Sequence, residues 1–247
     1  MSLEQQVTAL VEASNNLTTA VNSQISAIQA ELAKIPSTIE KSYNALYYVD
    51  KYSSNTVKDG KSPATAFHSI SEMLSKIQKI PGSTIMVRLN APSNDNMADV
   101  YEWNGQGMEN GVFWNIYPYA DQYTSKRVRI RVTGDNVAFA GSTHYYGFCV
   151  IDGSSRNVNP TYKGLFRTWN GLIHGLMFYE SEAIYDEGYL VTATHGFTIL
   201  DMRYSSIQST KATPADLVQS MSGVKTLVEH GSTTFTNVNV IESGTLV

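Results

Sequence analysis

Residues 47–90, YYVDKYSSNTVKDGKSPATAFHSISEMLSKIQKIPGSTIMVRLN, decide the fold. Tyr47-Tyr48-Val49-Asp50 opens a strand, and the polar run through Asp59-Gly60 and Ser62-Pro63 turns the chain before Ala66-Phe67. Ser69 with Glu72 three residues later is a capping box, and Ile70, Met73, Leu74 and Ile77 then share one helical face until Pro81-Gly82 stops the helix. Thr84 to Leu89 reads as a second strand. A strand, a turn, an amphipathic helix and another strand in this order would cover the open end of a stack of sheets, where a bare edge invites aggregation.

Upstream lies a different pattern. Large apolar residues fall at Leu3, Val7, Leu10, Leu17, Val21, Ile25, Ile28, Leu32 and Ile35, with Ser14 completing the series. Their steps of three and four form a heptad seam, and one extra step of four between Val21 and Ile25 relaxes the supercoil. So narrow a stripe among Gln, Ser, Thr, Asn and Glu needs copies of itself or a partner helix to be buried. The alternative is a surface helix of a globular body, but about nine turns outrun a typical one. Mixed Leu, Val and Ile usage does not enforce a dimer, so three strands are expected. Pro36 is expected to end the helix, because it disfavours helical backbone at the residue before it, and residues 37–46 read as a neck.

Tyr48-Val49-Asp50, Asp59-Gly60, Ser62-Pro63, Ala66-Phe67 and Ile70, followed by the short helix and a strand, resemble the opening segment of phage tail-fibre and tailspike proteins with a pectin-lyase-like right-handed parallel β-helix. Leu3-Glu4-Gln5-Gln6-Val7 and Ser14-Asn15-Asn16-Leu17-Thr18 look like the virion-attachment segments of phage fibres. The resemblance covers residues 1–90 and implies trimers, virion attachment and host-surface recognition. The expected architecture is mainly β: a coiled-coil stem over 1–36, a neck over 37–46, an opening and capping segment over 47–90, and a short right-handed parallel β-helix-like body over 91–247. The expected function is a virion structural protein, a homotrimeric fibre attached by its N-terminus to tail, baseplate or collar proteins and involved in host-surface adhesion. The alternative is a small polysaccharide depolymerase, a glycosidase or lyase.

Downstream, Asn170-Gly171 and His195-Gly196 stand 25 apart, and the same offset relates Met177 to Met202, Tyr179 to Tyr204 and Ser181 to Ser206. This is a rung-sized repeat. A third His-Gly, His230-Gly231, comes 35 residues later and opens an alternating strand from Thr233 to Val240, with the extra residues expected as a lateral excursion around Lys211 to Ser222. A few rungs bury little by themselves, so trimer contacts are expected to supply the rest.

Composition restricts the partners. Of 247 residues, 42% are hydrophobic and 16% charged, with a formal net charge of -4, which speaks against a phosphate backbone as ligand. The basic run Lys126, Arg127, Arg129, Arg131 has period two and alternates with Val128, Ile130 and Val132, so it reads as the solvated face of a strand. Cys149, the single cysteine, lies in Phe148-Cys149-Val150-Ile151 and reads as a small buried hydrophobe. No signal-peptide pattern and no apolar run of about 18 residues occurs, so folding in a cytoplasm without membrane insertion is expected; the resemblance to phage fibres implies that this is the host bacterial cytoplasm and that the final place is the virion.

Chemistry in this sequence is thin. His68, His144, His174, His195 and His230 lack metal-ligand spacing, and no nucleotide-binding or nucleophile-elbow motif occurs, so neither metal nor cofactor is expected. If the chain is an enzyme, the carboxylates to consider are Glu180, Glu182, Asp152 and Asp201, with Asp186 and Glu187 behind them, since glycoside hydrolysis needs two carboxyl groups roughly 5 to 9.5 Å apart. Glu180 and Glu182 on one strand face would stand about 6.6 Å apart at Cα. Among the aromatics, Phe113, Trp114 and Tyr117, together with the neighbouring Ile116, read as core or trimer contacts. Trp103, Tyr119, Trp169, Tyr179, Tyr185 and Tyr189 complete the set of rings suited to saccharide stacking or interfaces. Tyr145 and Tyr146, beside Gly147, are the candidate glycan contacts.

Overall fold

The computed structural model describes residues 2–91, 99–109, 111–119, 127–186, 188–221 and 223–247, and the side chains of these outside 33–42. The chain forms two compact units, Met1–Ser42 and Tyr43–Val247.

The first unit is helix α1, Leu3–Tyr43. Ser2 caps it reciprocally: its Oγ accepts from the Gln5 amide at 3.2 Å, and its own amide donates to Gln5 Oε1 at 2.9 Å. Thr8, Thr18, Thr19 and Ser26 donate their hydroxyls to the carbonyls four residues back, which satisfies these polar groups without breaking the helix. The helix runs through Pro36, where a stop was expected, and the expected neck is helical to Tyr43 before strand begins at Asn44. Proline removes one amide donor, and in a helix open to water the freed carbonyl can be hydrated, so the helix survives. The apolar seam from Leu3 to Leu32 is 46–78% exposed in the single chain, while the Ile35 side chain lies outside the described residues.

The second unit opens with β1 (Asn44–Val49), the turn-rich run to Ser69 and helix α2 (Ile70–Lys76). Ser69 Oγ accepts from the Glu72 amide at 3.0 Å, as the capping box requires, but the Glu72 carboxylate reaches the amide of His68 rather than that of Ser69, at 2.8 Å. Ile70, Met73 and Leu74 are buried against the first strands.

The chain then winds in rungs. The first has β2 (Thr84–Asn90) and β3 (Val100–Trp103). The second has β4 (Phe113–Tyr119), β5 (Val128–Val132) and β6 (Val137–Phe139). Next come β7 (Thr143–Gly147), β8 (Cys149–Gly153) and β9 (Gly164–Thr168), then β10 (Ile173–Tyr179), β11 (Glu182–Tyr185) and β12 (Tyr189–Ala193). The fifth has β13 (Phe197–Arg203), β14 (Ser206–Ser209), β15 (Ala215–Asp216) and β16 (Val218–Ser220). The last has β17 (Lys225–Gly231), β18 (Thr234–Thr236), β19 (Val238–Asn239) and β20 (Thr245–Leu246). Corresponding strands stack into three main sheets, β1-β2-β4-β7-β10-β13-β17-β20, β3-β5-β8-β11-β14-β18 and β6-β9-β12-β16, with β15 and β19 forming a short fourth. Every described pair is parallel except β17 with β20, which closes the end of the first sheet.

Register turns the alternation within each strand into columns through the core. Ile85, Trp114, His144, Leu176, Leu200 and Val228 lie one above another and are fully buried, as are Val87, Ile116, Tyr146, Phe178 and Met202 beside them. Tyr146 stacks on Phe178 at 5.7 Å with an interplanar angle of 20°. Cys149 is buried as expected, and burial pushes its thiol pKa up. Val128, Ile130 and Val132 are buried with Arg129 and Arg131 on the opposite face; Lys126 lies outside the described residues.

The repeat needs correcting by one residue. Ile173 pairs with Phe197, so β10 and β13 are related by 24 residues: Met177 faces Asp201, Phe178 faces Met202 and Tyr179 faces Arg203. The offset of 25 holds only in the turns before these strands, where Gly196 approaches the Gly171 carbonyl so closely that a Cβ would lie 2.3 Å from it. The turn after Gly196 is one residue shorter than its counterpart, and a one-residue slip exchanges the two faces of a strand. Residues 211–221 are no lateral excursion, because β15 and β16 within them complete the fifth rung. Nor is Thr233 to Val240 one strand: Asn237, at φ 54°, divides it into β18 and β19.

Candidate functional site

Beside the third sheet, the turns that follow β3 and β5 lie in backbone contact. A Cβ on Gly105, whose φ is +82°, would sit 2.1 Å from the Asn136 carbonyl oxygen, and one on Gly134 would sit 2.2 Å from that of Asn104. Only glycine permits this approach. Next to these turns, residues 154–163 form a loop held by Arg156, whose side chain is fully buried. Its Nη1 donates to the carbonyls of Asp135 at 2.5 Å and Gly164 at 2.9 Å, its Nη2 to that of Lys163 at 2.5 Å, and its Nε to Asp186 at 3.0 Å.

The loop carries Asn159 and Tyr162. Asn159 Oδ1 accepts from the amides of Thr161 and Tyr162 at 2.9 and 3.0 Å. Arg167, on the outer face of β9, has its guanidinium 3.5 Å from the Tyr162 ring centroid and 4.5 Å from that of Trp169. Its Nε is buried, and no hydrogen bond or ion pair reaches the guanidinium among the described residues. Burial pulls its pKa down, opposed by the Tyr162 hydroxyl. Trp169 is 44% exposed and meets His195 edge-on at 5.8 Å. Arg167 and Trp169 border a cleft of about 580 Å³ whose other walls are Asn104, Gln106, Glu109, Gly134, Asp135, Asn136, Ala138 and Asn159.

A smaller cleft of about 310 Å³ lies on the first sheet near its C-terminal end, lined by Asp201, Arg203, Tyr204, Glu229, His230, Gly231 and Ser232. Asp201 and Glu229 are direct register partners on β13 and β17. Arg203 Nε lies 3.0 Å from Asp201 Oδ1, and the Ser243 hydroxyl donates to Glu229 Oε2 at 3.0 Å.

The carboxylates named from sequence are thus dispersed. Glu180 has left-handed backbone, φ 47°, in the turn before β11, so the extended spacing assumed between it and Glu182 does not exist. Asp152 is buried in an ion pair with Arg129 at 2.5 Å and accepts from Ser154 Oγ at 2.6 Å. Burial alone would raise its pKa, but the bonds from Ser154 and the Arg129 charge outweigh this and hold the carboxyl below the usual range. Asp186 holds Arg156, and Glu187 lies outside the described residues. Among the described residues of this set, Asp201 is paired in register with a second carboxylate, Glu229, which the sequence reading missed. Its signal was there as a 28-residue echo, Leu200-Asp201-Met202 against Val228-Glu229-His230.

The tyrosine pair separates as well. Tyr146 is no surface contact: it is fully buried, with its hydroxyl 3.2 Å from His144 Nδ1. Tyr145, its neighbour on the strand, points outward and packs on Tyr117 at 5.5 Å. Trp114 and Ile116 are core, whereas Phe113 and Tyr117 face outward on the same strand. Among the described residues no three His, Cys, Asp or Glu side chains group as a metal site would need, and no helix is long and apolar enough to cross a membrane.

Comparison of the chain with family models, curated proteins and solved structures finds no match in any of the three.

Proposed function

We propose that the chain is a structural fibre protein of a bacteriophage virion: a homotrimer joined by its α1 helices, attached to the particle through residues 1–36, with a right-handed parallel β-helix body directed at the host surface. In this reading it is assembled in the host cytoplasm, and it acts by adhesion rather than catalysis. The carrying observation is the stem seam. Leu3, Val7, Leu10, Leu17, Val21, Ile25, Ile28 and Leu32 all stand exposed along a helix of about 60 Å. Burying one such side chain contributes about 1.5–3 kcal/mol, so a stripe of eight provides a strong drive to associate. Light scattering should return three times the 27.2 kDa chain mass. A monomer at micromolar concentration would overturn the proposal.

A second reading, a small polysaccharide depolymerase, draws on Asp201 and Glu229, because adjacent strands about 4.8 Å apart can bring two carboxylates to the spacing of a retaining glycosidase. It is the weaker reading, since Arg203 and Ser243 already hold the two groups. Release of reducing ends from host capsule or lipopolysaccharide, abolished by Asp201→Asn, would favour it.

A further inference from the structure

We infer that the cleft at Trp169 and Arg167 is a binding site for an acidic saccharide, a glycan carrying an isolated carboxylate such as a uronic or nonulosonic acid residue. The cleft lies wholly within the body, so the inference stands whether or not the chain is a virion fibre.

Its polarity comes from hydrogen-bond bookkeeping. Asn159 Oδ1 is taken by two backbone amides and Asn104 Oδ1 by the Gln106 amide at 3.1 Å, which leaves the NH₂ of each to donate. Arg167 adds a guanidinium with no acceptor of its own among the described residues. A partly buried cation clamped between two rings, without a counter-ion, is an electrostatic cost that an incoming carboxylate removes, and a planar guanidinium receives a carboxylate with two parallel bonds. Tyr162 and Trp169 hold the guanidinium plane, so little side-chain entropy remains to be lost on binding. Trp169, 44% exposed on the border of the cleft, offers apolar ring surface to a sugar.

Glu109 and Asp135 border the same cleft and set the charge pattern of the ligand. They can accept from sugar hydroxyls but repel a second nearby anion. This selects a single carboxylate among neutral sugars over a densely charged chain, and with a net charge of -4 it excludes nucleic acid.

Trp103 and Trp114 are buried, so the indole N–H resonance of Trp169, identified by its loss in Trp169→Phe, reports on the cleft alone. The full-length protein is titrated with 3′-sialyllactose and with the glucuronic acid–N-acetylglucosamine disaccharide, against lactose and N,N′-diacetylchitobiose. The expected result is a saturating shift of the Trp169 signal with at least one acidic sugar, at least tenfold tighter than with either neutral one. Arg167→Gln should abolish that preference, whereas Arg167→Lys, which keeps charge but not the planar fork, should retain only part of it. Equal binding of acidic and neutral sugars, no Trp169 shift at 10 millimolar sugar on the order of a weak lectin's Kd, or an unchanged preference in a folded Arg167→Gln would each overturn the inference.

Discussion

Arg156 ties three successive rungs together, and replacing it with methionine is a direct test of how the body is held. The guanidinium is fully buried, and its bonds include those to carbonyls in the second rung (Asp135) and third (Lys163, Gly164) and to Asp186 after β11 in the fourth. Asp186 is only 14% exposed at its side chain, so solvent screens the pair little. Methionine fills much of the same volume but removes one donor from the carboxylate and from each of three carbonyls. Breaking a buried ion pair in this way costs about 3–5 kcal/mol. With a urea dependence of about 2–3 kcal/mol per molar for a domain of this size, the midpoint should fall by roughly 1–2.5 M at unchanged slope. Arg156→Lys, which keeps the charge but not the fork, should fall between. Amide exchange at Thr161 and Tyr162 should speed up in parallel, because Arg156 anchors their loop. A midpoint shift of less than about 0.3 M in Arg156→Met would refute the argument, since that is close to what such extrapolations resolve.

His144 should give the body an acid-sensitive stability: burial pulls its pKa from 6.5 down to about 4, against the opposing bond to the Met108 carbonyl. The unfolded chain takes up that proton near pH 6.5 and the folded one only near 4, so stability is complete above 6.5 and falls by about 3 kcal/mol as pH drops to 4. Thermal melts across this window should show a shallower slope for His144→Gln, and an unchanged slope would remove His144 as the cause. Gly105→Ala should destabilise by about 1–3 kcal/mol in chemical denaturation, because alanine there combines φ +82° with a Cβ 2.1 Å from a carbonyl oxygen; a neutral effect would mean that the two turns part easily. If α1 assembles as proposed, Ile28→Asp should bring the light-scattering mass down toward one chain while circular dichroism keeps the β signal of the body, since the charge would be unpaired in the seam that the proposed trimer buries. Equal loss of helix and strand signal would show instead that stem and body fold as one unit.

Local patterns carried what depends on neighbours a few residues apart. The heptad spacing marked α1, the Ser69–Glu72 pair marked the start of α2, and period-two alternation assigned Val128, Ile130 and Val132 to the inside and Arg129 and Arg131 to the outside. The same alternation, applied to Tyr145 and Tyr146, would have forbidden placing both on one face.

What the sequence could not decide depends on how one rung lies on the next. The register of β13 on β17 pairs Asp201 with Glu229, and the left-handed backbone at Glu180 removes the extended spacing to Glu182. Arg167, Tyr162 and Trp169 come together because a buried arginine folds the 154–163 loop against β9, and Asn104 and Asn136 join them because two glycines let consecutive turns touch. The contacts between rungs, Arg156 with Asp186 and Gly105 with Asn136, join residues about 30 positions apart, and no periodicity within one strand encodes them. They follow from backbone pairing between rungs and from the need to satisfy Arg156 once it is buried, conditions that exist only in the stacked structure.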